Sequence, residues 1–162
     1  MLRAFSLIEL LVVVAVVGIL AALTLSISAG ARERAAQERA SAELAVIATA
    51  LEQYRAAYGA YPQVNDDGVG LLSALSGRLT PSGAGDNRRP FLTLDGLSVD
   101  EGGTRLVDPW ERPYFYAPYQ SGIRAGYRLY SLGKDGRHQA PSVTGEIFEN
   151  ADENLDNVMV GR

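Results

Sequence analysis

The chain has 162 residues, with no cysteine, a single histidine, a single tryptophan and two methionines. Without a thiol there is no disulfide, no thiolate nucleophile and no thiolate zinc site. The one histidine, His138, follows Arg137 in a polar stretch and reads as solvated rather than catalytic. Neither a G-x-S-x-G elbow, an H-E-x-x-H pair nor a phosphate-cradling glycine loop occurs, so no enzyme signature is present. Basic excess is missing too. The formal net charge is −4, whereas a nucleic-acid binder normally shows a basic stripe, so no nucleic acid is expected as partner. The missing cysteines fit an extracytoplasmic domain that relies on other staples.

Charge is also absent from one long stretch. Leu10–Ala31, 22 residues counted inclusively, carries none, close to the roughly 20 residues that an α-helix needs to cross a bilayer core. Two readings are open. A secretory signal peptide would be removed after the run; Ala22, Ser28 and Ala29 offer small residues for cleavage, but the run exceeds the usual apolar segment of about 7–15 residues. A retained anchor is the other reading. Arg3 precedes the run, and positive charge tends to stay cytoplasmic, so the rest of the chain would face outward. Glu9 bears on the choice, because a carboxylate in the apolar phase costs about 2.5–3.5 kcal/mol and normally has a partner or a job. It either sits at the water interface or serves another molecule.

The segment Ala4-Phe5-Ser6-Leu7-Ile8-Glu9-Leu10, followed by Leu11-Val12-Val13-Val14-Ala15-Val16-Val17-Gly18-Ile19-Leu20, resembles the class III leader of the type IV pilin superfamily. That resemblance implies cleavage between Ala4 and Phe5 by a prepilin peptidase and methylation of the new Phe5 amine. It also makes Glu9 the fifth residue of the mature chain. The physics agrees with it. Cutting before the apolar run keeps the anchor and creates an ammonium at Phe5, and in an apolar setting an unpaired ammonium or carboxylate is costly. The Glu9 of one subunit can meet the Phe5 amine of a neighbour and set register, the best-attested use of a buried charge. Phe5 and Glu9 are thus the expected assembly residues. The chain departs from the family in having Ala4 where glycine usually precedes the cut, a leader of only Met1–Ala4, and no proline near Ser26.

After Gly30 the chain becomes rich in Ala, Glu, Arg and Gln, good helix formers. Leu44, Ile47, Ala48, Leu51, Tyr54 and Tyr58 recur at i, i+3, i+4 spacing and form one apolar stripe. Arg34–Glu38 and Arg39–Glu43 are i, i+4 pairs in the weaker orientation, each expected to add about 0.2–0.5 kcal/mol at best. Gly59 and Pro62 end the pattern. The expectation is one helix from about Phe5 to Tyr58, roughly 80 Å long at about 1.5 Å per residue. The alternative is two helices hinged at Gly30. Tyr58-Gly59-Ala60-Tyr61-Pro62 resembles the stretch ending this helix in the major pseudopilins of type II secretion (G-subunit type), and Gly70–Leu75 resembles the start of their short second helix. Ser76–Asn87 reads as a loop. A short strand is expected near Phe91–Leu94, followed by turns at Asp95-Gly96 and Glu101-Gly102-Gly103.

Asp108-Pro109-Trp110-Glu111-Arg112-Pro113-Tyr114 resembles the same family's aspartate-proline-tryptophan block, with Glu111 where the family has glycine, so the turn is expected to differ in detail. Asp108-Pro109 suits a turn. Trp110 is expected in the core rather than against a ligand. Arg112-Pro113 would start a strand through Tyr114–Tyr116, paired antiparallel with Tyr127–Ser131 across a loop from Gln120 to Gly126. Ser131-Leu132-Gly133-Lys134-Asp135-Gly136 resembles the family's calcium-binding turn. The resemblance implies one calcium ion held by Asp135 and a later acidic loop, here Asp152 and Asp156. From Gln139 to Gly161 the charged residues are Glu146, Glu149, Asp152, Glu153 and Asp156, with no base. Calcium takes roughly six to eight oxygens and would clip the tail to the strand end. A solvated acidic loop is the alternative. The spacing is not that of an EF-hand.

The expected fold is therefore α+β and type IV pilin-like: a long N-terminal helix, membrane-spanning in its first half, on a small antiparallel sheet with long loops. The expected division is a leader at 1–4, an anchor and filament-core segment at 5–31, and a periplasmic head at 32–162. The resemblance implies a structural subunit of the type II secretion pseudopilus. Its implied partners are other copies of itself, other pseudopilins, an inner-membrane assembly platform and the prepilin peptidase. Its implied place is the bacterial inner membrane, single-pass, with the head in the periplasm, and a periplasmic filament after assembly. Two alternatives stay open: a type IV pilin or minor pseudopilin of an adhesion, motility or DNA-uptake fibre, and a lone membrane-anchored periplasmic binding protein.

Overall fold

The computed structural model describes residues 6–64, 68–121, 124–137 and 158–159, with side chains described except at residues 23–29, 120, 121 and 124. Helix α1 is Leu7–Tyr58, 52 residues, as expected where no breaker stronger than a glycine interrupts the stretch. Gly30 lies within it, so one helix rather than two is found; an interior glycine weakens a helix by only about 1 kcal/mol. Its first turn is anchored by the Ser6 carbonyl, which accepts from the Glu9 and Leu10 amides at 3.0 and 3.2 Å. Gly59 ends it. The Gly59 amide donates to the Arg55 carbonyl at 2.7 Å, with φ 77°, a left-handed conformation that a side chain opposes.

The chain divides into two compact units, Met1–Ala36 and Gln37–Arg162. The first consists, among the described residues, of helix alone, and its side chains from Leu7 to Leu20 lie open. The second has its own core. Leu44, Ile47, Leu51 and Tyr54 of α1 are fully buried, each stabilising the unit by about 1.5–3 kcal/mol through area removed from water. They pack with Leu71 and Leu75 of α2, which spans Val69–Leu75, and with Leu106, Tyr114, Tyr116 and Leu129. The stripe legible in the sequence is the buried face.

Residues 76–113 form loops with isolated bridges at Leu79–Gly85, Val99–Leu106 and Val107–Pro113. The strand expected near Phe91–Leu94 does not form. The Phe91 and Leu92 amides donate instead to the Leu75 carbonyl at the end of α2, at 2.8 and 3.2 Å. The Phe91 ring stands edge-on to Tyr54, 5.3 Å between centroids. The segment is a plug over α2 and the helix end, not a ladder. The turns at Asp95-Gly96 and Glu101–Gly103 are present.

Strands β1 (Phe115–Ser121), β2 (Arg124–Ser131) and β3 (Val158–Met159) form an antiparallel sheet in that order. Phe115 pairs with Tyr130 and Ser121 with Arg124. The hairpin is thus tighter than expected, because its strands run through most of the Gln120–Gly126 stretch and only residues 122–123 connect them. β1 starts at Phe115 rather than Arg112, since Arg112 is taken by a turn described below. Pro118 sits in β1, an edge strand, where a missing amide costs no ladder bond. Trp110 is half-buried and lies outside the core cluster. The largest fully buried aromatic side chains are instead Tyr54, Tyr114, Tyr116 and Tyr130.

Candidate functional site

Two regions carry the residues singled out above. The first is the start of α1. Glu9 lies exposed in its first turn, where a negative charge suits the positive end of the helix dipole. Around it Leu7 is 82% and Ile8 69% exposed. Leu10, Leu11, Val12, Val13, Val14, Val16, Val17, Ile19 and Leu20 are open as well. An apolar surface on every side of a helix needs lipid or other protein around it. Among the described residues no helix is long and apolar enough to cross a membrane; the side chains of residues 23–29, inside the uncharged run, are not among them. Ala4 and Phe5 lie outside the described residues.

The second region joins two turns 23 residues apart in the chain, a spacing given by the Ser131–Asp108 hydrogen bond. Asp108 is 1% exposed. One of its carboxylate oxygens, Oδ1, accepts from the Trp110 and Arg112 amides at 3.0 and 2.9 Å. The other, Oδ2, accepts from the Ser131 hydroxyl at 2.5 Å. Ser131 Oγ in turn accepts from the Gly133 amide at 3.0 Å. The Asp108 amide donates to the Arg112 carbonyl at 2.7 Å, closing the turn. A buried carboxylate with three donors is a fully satisfied group, costly to break. The sequence marked Asp108 as a turn former; its reach across to Ser131 is tertiary and left no local signal.

Glu111 has φ 64°. The turn therefore keeps the left-handed residue that a glycine would supply, although a side chain stands there.

Asp135 sits at the exposed tip of the other turn, and its Oδ1 accepts from the Arg137 amide at 2.7 Å. Asp152 and Asp156 lie outside the described residues. Among the described residues no group of three or more His, Cys, Asp or Glu stands together as a metal site. Asp135 is chemically suited to give a hard cation one oxygen. The neighbouring Lys134 carbonyl, another oxygen of the turn, already accepts from Arg112 Nη2 at 2.9 Å.

One buried charge was missed. Glu43 is 4% exposed. It accepts from Arg39 Nε at 2.8 Å and from the Tyr114 hydroxyl at 2.8 Å. Arg39 Nη2 also donates to Ser98 Oγ at 2.7 Å. The pair read as a weak surface contact is thus half of a buried tie between α1 and the segment before β1. Burial first, and then the bond to Glu43, push the Tyr114 hydroxyl pKa well up. The signal was present in the phase of the helix: position 43 falls within the stripe of Ala40, Leu44, Ile47 and Leu51, where a free carboxylate would be out of place. A second polar tie joins Tyr58 to Asp86 at 2.6 Å, and that bond is the main cause lowering the Asp86 carboxyl below its usual range.

A long N-terminal helix, a short second helix and a small antiparallel sheet define a pilin-like α+β protein. The type II secretion system protein G family matches residues 28–150, and the prokaryotic N-terminal methylation motif matches residues 3–25. The chain belongs to the type II secretion system protein G family. Type II secretion system core protein G of Pseudomonas aeruginosa is 34% identical over 134 residues, 82% of this chain and 84% of its own length. Those of Aeromonas hydrophila and Escherichia coli are 32% and 29% identical, covering 82% and 83% of this chain and the same shares of their own. The family is one of structural pseudopilins at the cell envelope. The fibre and lone binding-protein alternatives are not favoured.

Proposed function

We propose that the chain polymerises through its N-terminal helix into the pseudopilus of type II secretion. The observation that carries this is the bare apolar helix from Leu7 to Leu20 with one carboxylate, Glu9, in its first turn. Before assembly, residues 5–31 anchor the subunit in the inner membrane with the head, residues 32–162, in the periplasm. After assembly the same residues form the filament core. Leader 1–4 is removed between Ala4 and Phe5, and Glu9 meets the Phe5 amine of a neighbour. Transfer from lipid to filament exchanges one apolar surrounding for another, so the charge pair, rather than burial, selects the register. Other pseudopilins, the assembly platform and the prepilin peptidase are the partners this requires.

Intact-mass analysis of the protein from membranes, with and without the peptidase, tests the reading. A mature chain starting at methylated Phe5 is expected. An uncut chain, or one cut near Ala29, contradicts it.

A calcium ion at the end of the head is part of the same proposal, with Asp135, Asp152 and Asp156 as its carboxylates. It would add a positive charge and a cross-link between the Ser131–Gly136 turn and the acidic tail in a chain with no disulfide. EDTA should then lower the melting temperature of the full-length protein in detergent, and added calcium should restore it. An unchanged melting temperature in both removes the ion.

A further inference from the structure

Arg112 stands between the two turns in a way that neither filament assembly nor a metal at Asp135 calls for. Its backbone is fixed at both ends: the amide donates to Asp108 Oδ1 at 2.9 Å and the carbonyl accepts from the Asp108 amide at 2.7 Å. The left-handed Glu111 precedes it. From that base the side chain crosses to the second turn, where Nη2 donates to the Lys134 carbonyl at 2.9 Å. Its Nε is shut from water with no hydrogen-bond partner among the described residues. A partly desolvated guanidinium is held only where it faces negative dipole ends.

Gly136 completes the arrangement. It has φ 69°, and a Cβ built on it would fall on the Arg112 guanidinium. A left-handed backbone strains any side chain at 136, and a Cβ there would push the Arg112 guanidinium off the Lys134 carbonyl. Ser131 ties the same two turns together through Asp108 without using the arginine. Loss of the guanidinium should therefore loosen the second turn without unfolding the head.

We propose that Arg112 is the resident cation of the Ser131–Gly136 turn, a positioning residue that caps its Lys134 carbonyl and fills the slot left by Gly136. The turn then keeps its form with no divalent ion bound.

The test uses the full-length protein in detergent with EDTA, so that no divalent ion contributes. Thermal unfolding is followed by the fluorescence of Trp110, the only tryptophan, two residues from Arg112. Arg112→Met should lower the melting temperature by about 4 °C or more and shift the Trp110 emission, while far-UV circular dichroism stays the same. Arg112→Lys, which keeps the charge, should recover part of that loss. Gly136→Ala should cost more in the wild-type background than in Arg112→Met, because only the former holds a guanidinium against the new methyl group. A melting temperature unchanged in Arg112→Met overturns the proposal. So do equal losses for Lys and Met at position 112, or an equal cost of Gly136→Ala in both backgrounds.

Discussion

At the scale of the residue, the chain keeps conformations that its residue types resist. Glu111 holds φ 64°, which costs an L-residue roughly 1–2 kcal/mol. Its side chain is exposed, so replacing it removes no packing. Glycine would relieve the strain but lose more freedom on folding, about 0.5–1 kcal/mol. Glu111→Gly should thus raise stability slightly, by about 0.5–1 kcal/mol. A higher denaturant midpoint with an unchanged slope is the expected result; a lower midpoint would mean that the Glu111 side chain holds something in place. Glu43 makes the opposite point. It breaks the apolar pattern of its helix and is accepted because two donors reach it.

At the scale of the element, α1 is tied to the rest of its unit by a polar bond as well as by its stripe. Tyr114→Phe leaves the buried Glu43 carboxylate short of one donor and should cost about 1.5–3 kcal/mol. Glu43→Leu should cost a similar amount. The double variant should cost less than the sum, since both remove one bond. Denaturant unfolding of the four proteins measures this, and additive losses would place the two residues in separate networks. The elements that could be read from the sequence are those set locally. The α1 stripe, the end at Gly59 and the Tyr127–Ser131 strand follow from periodicity and breakers, whereas the short α2 was legible only through the family resemblance of Gly70–Leu75. What could not be read depends on partners far along the chain. Phe91–Leu94 has strand composition, but its amides find the end of α2. Trp110 has core composition, but the buried aromatics are tyrosines. Asp108 and Ser131 each suit a turn, and only the folded chain brings them together. The expectation that Phe5 and Glu9 serve assembly rests on a motif rather than on packing.

At the scale of the whole molecule, the two units obey different rules. Gln37–Arg162 buries its own apolar side chains. The helix of Met1–Ala36 buries almost none of those described, with Leu7 82% and Val16 49% exposed. Such a surface needs lipid or other protein around it. Under the proposed function it meets lipid first and other copies of the chain after assembly, and Glu9 decides how those copies align. The most direct measurement is therefore on Glu9→Leu. The change makes the helix more apolar, so the protein should still enter the membrane and its head should still fold. Filaments, counted by electron microscopy after the secretion components are supplied, should be absent. Normal filaments from Glu9→Leu would contradict the account at its centre and leave Glu9 as a residue of the water interface.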